Sequence, residues 1–186
     1  VTFHNKLGSQ FERVERIINL SEIIAKKIGC DPKLAKDAAY ISKADLSSEM
    51  VYEFPELQGI MGTYYAKKAG YAASVSETCK DHYAPLGPSD EVPGSPISTV
   101  VALADKIDTL TNFWAIEEKP TGSKDPFALR RSALGMIRII IENDIRISLS
   151  EILALGNKKA DIEDLQEFIY QRMKVFLREK ELRHDI

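Results

Sequence analysis

The run ISTVVALADKIDTLTNF, residues 97–113, decides the fold of this chain. Its apolar side chains recur at three- and four-residue spacing, which predicts a buried helix. A second run, residues 133–141, is apolar almost all round, which is typical of a helix inside a core. The two runs together indicate that the hydrophobic core is built from helices.

The local signals around these runs predict further helices. Ser9 is expected to cap a first helix that Gly29 ends, and Asp31 followed by Pro32 begins a second that reaches about Lys43. Residues 84–96 contain four prolines and two glycines and predict a loop. The other predicted helices cover residues 55–68, 74–83, a segment begun by Asp125 and Pro126, 150–156 and 161–183.

No segment shows a convincing alternation of apolar and polar residues, so the fold class is predicted as all-α, with about seven to nine helices. The 186 residues, 44% hydrophobic and 28% charged, suit one globular domain over 1–186. Residues 157–186 carry seven basic and seven acidic side chains and predict a solvated terminal helix.

Charge and cysteine content limit the function classes. The net charge of −3 argues against a generally basic nucleic-acid binder, so any RNA contact must come from a local patch. Cys30 and Cys79 have no metal or redox spacing and are expected to be reduced thiols. With no membrane-spanning run and no signal peptide, a cytoplasmic protein is expected, or an organelle-matrix one if the source is eukaryotic.

Four runs look specified residue by residue rather than by apolar pattern alone. They are KADL at 43–46, EMVYEFPELQGIMGTYYA at 49–66, ADKIDTL at 104–110 and PTGSKDPFALRRSALGMIR at 120–138. In this order they resemble the β subunit of the bacterial-type, two-subunit glycyl-tRNA synthetase, in the segment usually described as a degenerate HD domain. The resemblance implies an HD-like helical bundle excised from a larger β subunit.

That resemblance also implies a function. In the family, the α subunit performs the ATP-dependent activation of glycine, and the β subunit helps to bind tRNA. This chain is therefore expected to be a tRNA-handling domain without catalytic residues. Its implied partners are tRNA(Gly), the α subunit and other β-subunit domains. ATP and Mg²⁺ would serve the holoenzyme, and no cofactor is expected in this segment.

The resemblance places a degenerate metal site in the chain. HD-type phosphohydrolases hold a divalent ion with a His, a His-Asp pair and a later Asp. Here Ala44 replaces the paired histidine, Asp45 follows it, and Asp105 resembles the later aspartate. We therefore expect no bound metal. The two aspartates could instead serve as helix caps or as partners for Lys43 or Lys106.

His82 matches a Glu-His-Tyr run of the same family. It could be the relic of a metal ligand or an RNA contact. It could equally be a histidine near a helix C-terminus, where the helix dipole favours the charged imidazolium. The sequence leaves both interpretations open.

The candidate RNA contacts are cations within the matching runs. The turn at residues 120–124 could receive a phosphate, or could simply position Asp125 as a helix cap. Adjacent arginines point about 100° apart on a helix, so we expect one of the pair to face a ligand. Either arginine could instead pair with a carboxylate of Asp45, Glu53, Asp105 or Asp108. The predicted contacts are Lys43, Lys106, Lys124, Arg130 and Arg131.

Two other function classes stay open from the sequence. One is a metal-dependent HD-type phosphohydrolase, which the missing histidines disfavour. The other is a structural domain that docks the α subunit or neighbouring β-subunit domains. The run at 53–56, with two glutamates flanking Phe54 and Pro55, would repel phosphate and fits such an interface.

Overall fold

A computed structural model describes residues 1–184, so Asp185 and Ile186 of the predicted terminal segment lie outside the described residues. The described chain is helical apart from one short hairpin and its loops. No helix among the described residues is long and apolar enough to cross a membrane. The elements are β1 Thr2–His4, β2 Gly8–Ser9, α1 Gln10–Ile28, α2 Pro32–Ile41, α3 Glu49–Glu53, α4 Ile60–Lys68, α5 Ala73–Asp81, α6 Pro96–Ala115, α7 Leu129–Glu142, α8 Leu149–Leu153 and α9 Ile162–His184.

Helix α6 is the centre of the bundle. Every residue from Ile97 to Trp114 is buried, and the helix packs against α1, α2, α5, α7, α8 and α9. The buried helix predicted from the apolar spacing of this run is confirmed, and it is buried on all sides. Its few charged residues, Asp105, Lys106 and Asp108, therefore lie inside the bundle, where each needs a partner.

The ends of the first two helices follow the predicted local signals. Ser9 and Glu12 form a reciprocal capping box at the start of α1, and Gly29 ends that helix with a left-handed backbone. The carboxylate of Asp31 accepts the backbone N–H groups of Lys33 and Leu34 at the start of α2. These predictions are confirmed.

The single helix predicted over residues 55–68 is wrong. The segment forms a short 3₁₀-helix, Pro55–Leu57, and then α4, with Gly59 between them at φ +81°. The backbone of Gly59 lies against α5, since a Cβ there would come 2.8 Å from the carbonyl oxygen of Cys79. Only glycine fits this position, and it interrupts the helix.

Two further local expectations differ from the structure. Helix α7 begins at Leu129 rather than at Pro126, because the Asp125 carboxylate accepts the N–H groups of Leu129 and Arg130 across an intervening turn. The hairpin of β1 and β2 was not predicted, because strands of three and two residues are too short to show an alternation of apolar and polar residues.

Candidate functional site

A cleft of about 270 Å³ opens where α1, α6 and the start of α7 meet the loop between α5 and α6. We call it the cationic cleft, since four basic side chains and a single carboxylate line it. Aromatic rings of Phe3, Tyr83, Phe113 and Phe127 form its walls. Its charged lining residues are Arg13, Lys43, Asp105, Lys106 and Arg131.

Asp105 is the common partner of the buried cations. Its Oδ1 lies 3.0 Å from Nη2 of Arg13 and 3.1 Å from Nζ of Lys43. Burial by itself would raise the pKa of Asp105, but Lys43 and Arg13 outweigh it and hold that pKa well below its usual range. Asp105 is therefore a carboxylate at every physiological pH.

The positive charges of the two buried lysines exceed the negative charge that Asp105 supplies. The ammonium of Lys43 donates to Asp105 and to Nε2 of His82, 3.0 Å away, and that of Lys106 donates to the Ala84 carbonyl at 3.1 Å. Burial lowers the pKa of each lysine to about 8, although Asp105 opposes this. Burial inside the bundle therefore disfavours the charged form of both lysines.

His82 is a neutral, fully buried imidazole. Its Nδ1 lies 2.8 Å from the Thr78 carbonyl oxygen, so Nδ1–H donates there and Nε2 accepts from Lys43. Burial first, and then the charge of Lys43, lower the pKa of His82 to about 3. His82 does lie at the C-terminal end of α5, as one of the two interpretations held, but desolvation outweighs the helix dipole and disfavours the charged imidazolium.

Asp45 bonds to the start of α4 rather than to the cations around Asp105. Its Oδ2 accepts the backbone N–H groups of Gly59 at 2.6 Å and Gly62 at 2.9 Å, which caps the start of α4. Asp45 therefore acts as a helix cap and Asp105 as a lysine partner, which were the alternatives to metal ligation. In the part of the chain that the structure describes, no three His, Cys, Asp or Glu side chains group as metal ligands. The degenerate metal site stays a prediction.

Sequence reasoning missed the arginines of α1. Arg13 binds Asp105, and Arg16 binds Asp108 through both carboxylate oxygens, at 2.7 and 3.2 Å. The sequence contained a signal for these contacts. The two arginines are three residues apart, as are the two aspartates, so each pair lies on one face of its helix. Matching spacings on two buried helices could have predicted these two ion pairs.

Two backbone donors of the predicted phosphate-binding turn, those of Thr121 and Lys124, are occupied by bonds within the turn. The N–H groups of Thr121 and Lys124 bond each other's carbonyl oxygens, at 3.0 and 2.8 Å. Asp125 takes the first free N–H groups of α7, so the structure shows the helix-cap alternative. Among the predicted cations, Arg130 donates to the Gly122 carbonyl at 2.7 Å, while Lys124 and Arg131 are exposed.

Comparison with known proteins decides the family. A family model described as "Glycyl-tRNA synthetase beta subunit" matches residues 1–186. This chain belongs to the glycyl-tRNA synthetase β subunit family. Along its whole length it is 60% identical to the glycine–tRNA ligase β subunit of Ruegeria sp. (strain TM1040) and 57% identical to that of Paracoccus denitrificans, and it spans 27% of the length of each.

Within this β subunit family member, the five predicted RNA contacts separate into two groups. Lys43 and Lys106 are each 6% exposed and bonded to groups of the bundle, so neither lies on the outer surface. Both lysines line the cationic cleft, and RNA contact by them stays a prediction. Lys124, Arg130 and Arg131 lie together at the start of α7, and we call these three the cationic edge. RNA contact by the cationic edge stays a prediction.

Proposed function

We propose that this chain is a tRNA-handling, non-catalytic part of a glycine–tRNA ligase β subunit. The observation that carries the proposal is the family match over every residue from 1 to 186. In the whole synthetase, the α subunit would use ATP and Mg²⁺ to attach glycine to tRNA(Gly). The compartment would be the cytoplasm, or an organelle matrix where the source is eukaryotic.

The cationic edge supports contact with the RNA backbone. Its three side chains project from one turn and the helix that follows, and Arg131 also lines the cationic cleft. Phosphate contacts of this kind position an RNA without reading its sequence. Since the chain as a whole has a net charge of −3, such a local cluster is the kind of patch that RNA contact requires here.

Charge reversal in the full synthetase tests this proposal. We expect Lys124→Glu combined with Arg131→Glu to weaken tRNA(Gly) binding and to reduce the salt dependence of binding by about two phosphate contacts. The matched control is Lys33→Glu on α2, whose side chain is 87% exposed and lies outside the cationic edge. Unchanged affinity in a folded double variant would remove both residues from the RNA interface.

A second candidate function, docking within the synthetase, rests on the aromatic surface. We define this surface by the exposed side chains of Tyr52, Phe54, Ile60, Tyr64, Tyr65 and Tyr71, on and around α3 and α4. Exposed aromatic clusters are typical of protein interfaces. The neighbouring carboxylates of Glu49, Glu53 and Glu56 are exposed and would repel phosphate, so they favour a protein partner over RNA.

The phosphohydrolase alternative is not proposed, because the residues present do not fit a divalent ion. Nε2 of His82 and Oδ1 of Asp105, which could ligate a metal, both accept from the ammonium of Lys43. Oδ2 of Asp45 accepts from two backbone N–H groups, which leaves its buried Oδ1 without a hydrogen-bond partner. One such carboxylate oxygen is too few to hold a divalent ion. Metal-dependent release of phosphate from a nucleotide by this chain would contradict that judgement.

A further inference from the structure

The cationic cleft holds more positive charge than its own residues neutralise. Arg13, Lys43, Lys106 and Arg131 line it against one carboxylate, that of Asp105. The nearby carboxylate of Asp108 does not correct the balance, since Arg16 binds both of its oxygens and Nε of Arg13 lies farther off, 3.7 Å from its Oδ2. Buried charge without a counter-ion is costly, so this excess needs an explanation.

Several donors in and around the cleft also lack acceptors. Nε of Arg13 and the hydroxyl of Tyr83 are buried and have no hydrogen-bond partner among the described residues. Burial raises the pKa of Tyr83, so its hydroxyl keeps its proton and can donate. The ammonium of Lys106 uses one of its three N–H groups, on Ala84, within the described chain. Buried polar groups are normally satisfied, so unsatisfied ones point to a missing acceptor.

The apolar walls define what else the occupant carries. The rings of Phe113 and Phe127 stack with centroids 4.3 Å apart, and the Phe3 ring lies 4.1 Å from the guanidinium carbon of Arg13. Walls of this kind exclude water and strengthen every charge interaction in the cleft. The volume, about 270 Å³, falls below the roughly 300–1,000 Å³ of drug-sized ligand pockets, so the occupant is small.

We propose that the cationic cleft binds one phosphate group carried by a nucleotide. The donors reach the cleft from α1, α6, α7 and the segments beside α2 and α5, which suits a tetrahedral anion with several acceptor oxygens better than a planar carboxylate. The cleft holds the phosphate, and the rest of the nucleotide lies at its open side, beside the Phe127 ring, which is 38% exposed. This inference rests on the cleft and does not require that the cationic edge contacts tRNA.

Equilibrium dialysis of the full synthetase with labelled cytidine monophosphate tests the proposal. A cytosine nucleotide is chosen because an adenine nucleotide would also bind wherever ATP binds, and inorganic phosphate serves as the competing anion. We expect saturable binding that phosphate displaces. Lys106→Met and Arg131→Gln should each weaken it by roughly tenfold or more, the loss of one charge-assisted hydrogen bond.

The matched control is Lys33→Gln, which removes an exposed cation outside the cleft and should leave binding unchanged. Arg131 is exposed, so its variant keeps the test decisive even if the buried Lys106→Met variant fails to fold. Absence of binding at millimolar nucleotide, or equal binding by the wild type and the Arg131→Gln variant, would overturn the proposal.

Competition with tRNA(Gly) identifies the source of the nucleotide. Displacement of cytidine monophosphate by tRNA, in the wild type, would assign the cleft to a nucleotide of the RNA chain. Full retention at saturating tRNA would assign it to a free nucleotide. Because the dialysis measurement contains no tRNA, failure of the cationic edge to bind tRNA would leave the nucleotide result intact.

Discussion

The cationic cleft and the aromatic surface depart in opposite ways from the usual distribution of residues. The cleft buries Lys43 and Lys106, whereas the aromatic surface leaves Tyr52 88% and Tyr64 66% exposed. In the cleft, Asp105 and His82 supply partners from within the bundle. The rings of the aromatic surface are instead open to solvent in the part of the chain that the structure describes. The comparison indicates that substitutions of the buried charges should mainly change the stability of this chain. Substitutions of the exposed aromatic rings should mainly change its association with partners.

Removal of the shared carboxylate should have the largest effect. Asp105→Asn leaves the charge of Lys43 buried without a counter-ion and leaves Arg13 only the Asp108 carboxylate, 3.7 Å away, so we expect the free energy of unfolding to fall by about 3–5 kcal/mol. Urea unfolding of the chain measures this loss.

The control for that experiment is Asp144→Asn. Asp144 pairs with Arg146 in solvent, at side-chain exposures of 84% and 89%, so the same chemical change should alter stability little. Asparagine also tolerates the positive φ of Asp144. Equal losses for the two variants would show that Asp105 does not hold the cluster together.

A smaller loss is expected at Gly62, whose backbone lies close to the side chains of Asp45 and Cys79. A Cβ at Gly62 would lie 3.1 Å from both Oδ2 of Asp45 and Cβ of Cys79, so Gly62→Ala should cost about 1–3 kcal/mol. Urea unfolding again reports the change. The contact matters to the comparison because Asp45 fixes α4, which carries much of the aromatic surface.

Gly59 and Gly70 provide a matched pair for the same test. Both have positive φ, +81° and +92°, but a Cβ meets the Cys79 carbonyl at Gly59 and nothing within 4 Å at Gly70. Alanine at either position carries the conformational cost, so the additional loss at Gly59 measures the close approach. A difference near zero would mean that α4 shifts freely against α5.

The sequence predicted those features whose signals are local. Ser9 and Gly29 lie directly beside the ends of α1 that they predict. The apolar spacing of residues 97–113 predicts the burial of that same segment. The bonds from Asp45 to Gly59 and Gly62 span 14 and 17 residues, and no periodic pattern records such a contact. The interrupted helix at residues 55–68 followed from that contact and was therefore missed.

The candidate site shows the same difference between features that the sequence could predict and features that depend on packing. Asp105 was singled out by its resemblance to the later aspartate of HD domains, and Lys43 was among the partners considered for it. The neutral state of His82 and the burial of Lys106 depend on how α5 and its following loop pack on α6. The sequence shows which side chains can be charged, but only the packing shows which lose water.

Acid should weaken the buried cluster through His82. Its pKa of about 3 lies below the ordinary 6.5, so the unfolded chain binds the proton more tightly between these values. The free energy of unfolding should therefore fall as pH drops from 6.5, by at most about 1.4 kcal/mol per pH unit. The carboxylate of Asp105, with its lowered pKa, adds a loss only below its ordinary 3.8. The lowered pKa of Glu22 and the raised pKa values of Asp81 and Asp108 also contribute in the acidic part of this range, so the histidine is read from the difference between the wild type and a variant without it.

Two variants sharpen the pH experiment. His82→Gln keeps an acceptor for Lys43 but cannot take up a proton, so the decline contributed by His82 should vanish. His4→Gln is the control, since His4 lies outside the hydrogen bonds of Lys43 and Asp105, and it should keep the decline. A decline that persists unchanged in His82→Gln would contradict the assignment of the proton to this imidazole.

The smallest effect on stability, and the sharpest contrast with Asp105, is expected on the aromatic surface. Tyr52→Ser should change the free energy of unfolding by no more than about 0.5 kcal/mol, because a ring that is 88% exposed contributes little to the core. The same variant should weaken assembly of the α and β subunits in sedimentation velocity, since buried aromatic rings supply much of interface affinity. Phe11→Ser is the control, an exposed ring on α1 outside the aromatic surface. Equal assembly of both variants and the wild type would mean that these rings meet no partner within the synthetase, and the exposed area would then need an occupant outside it.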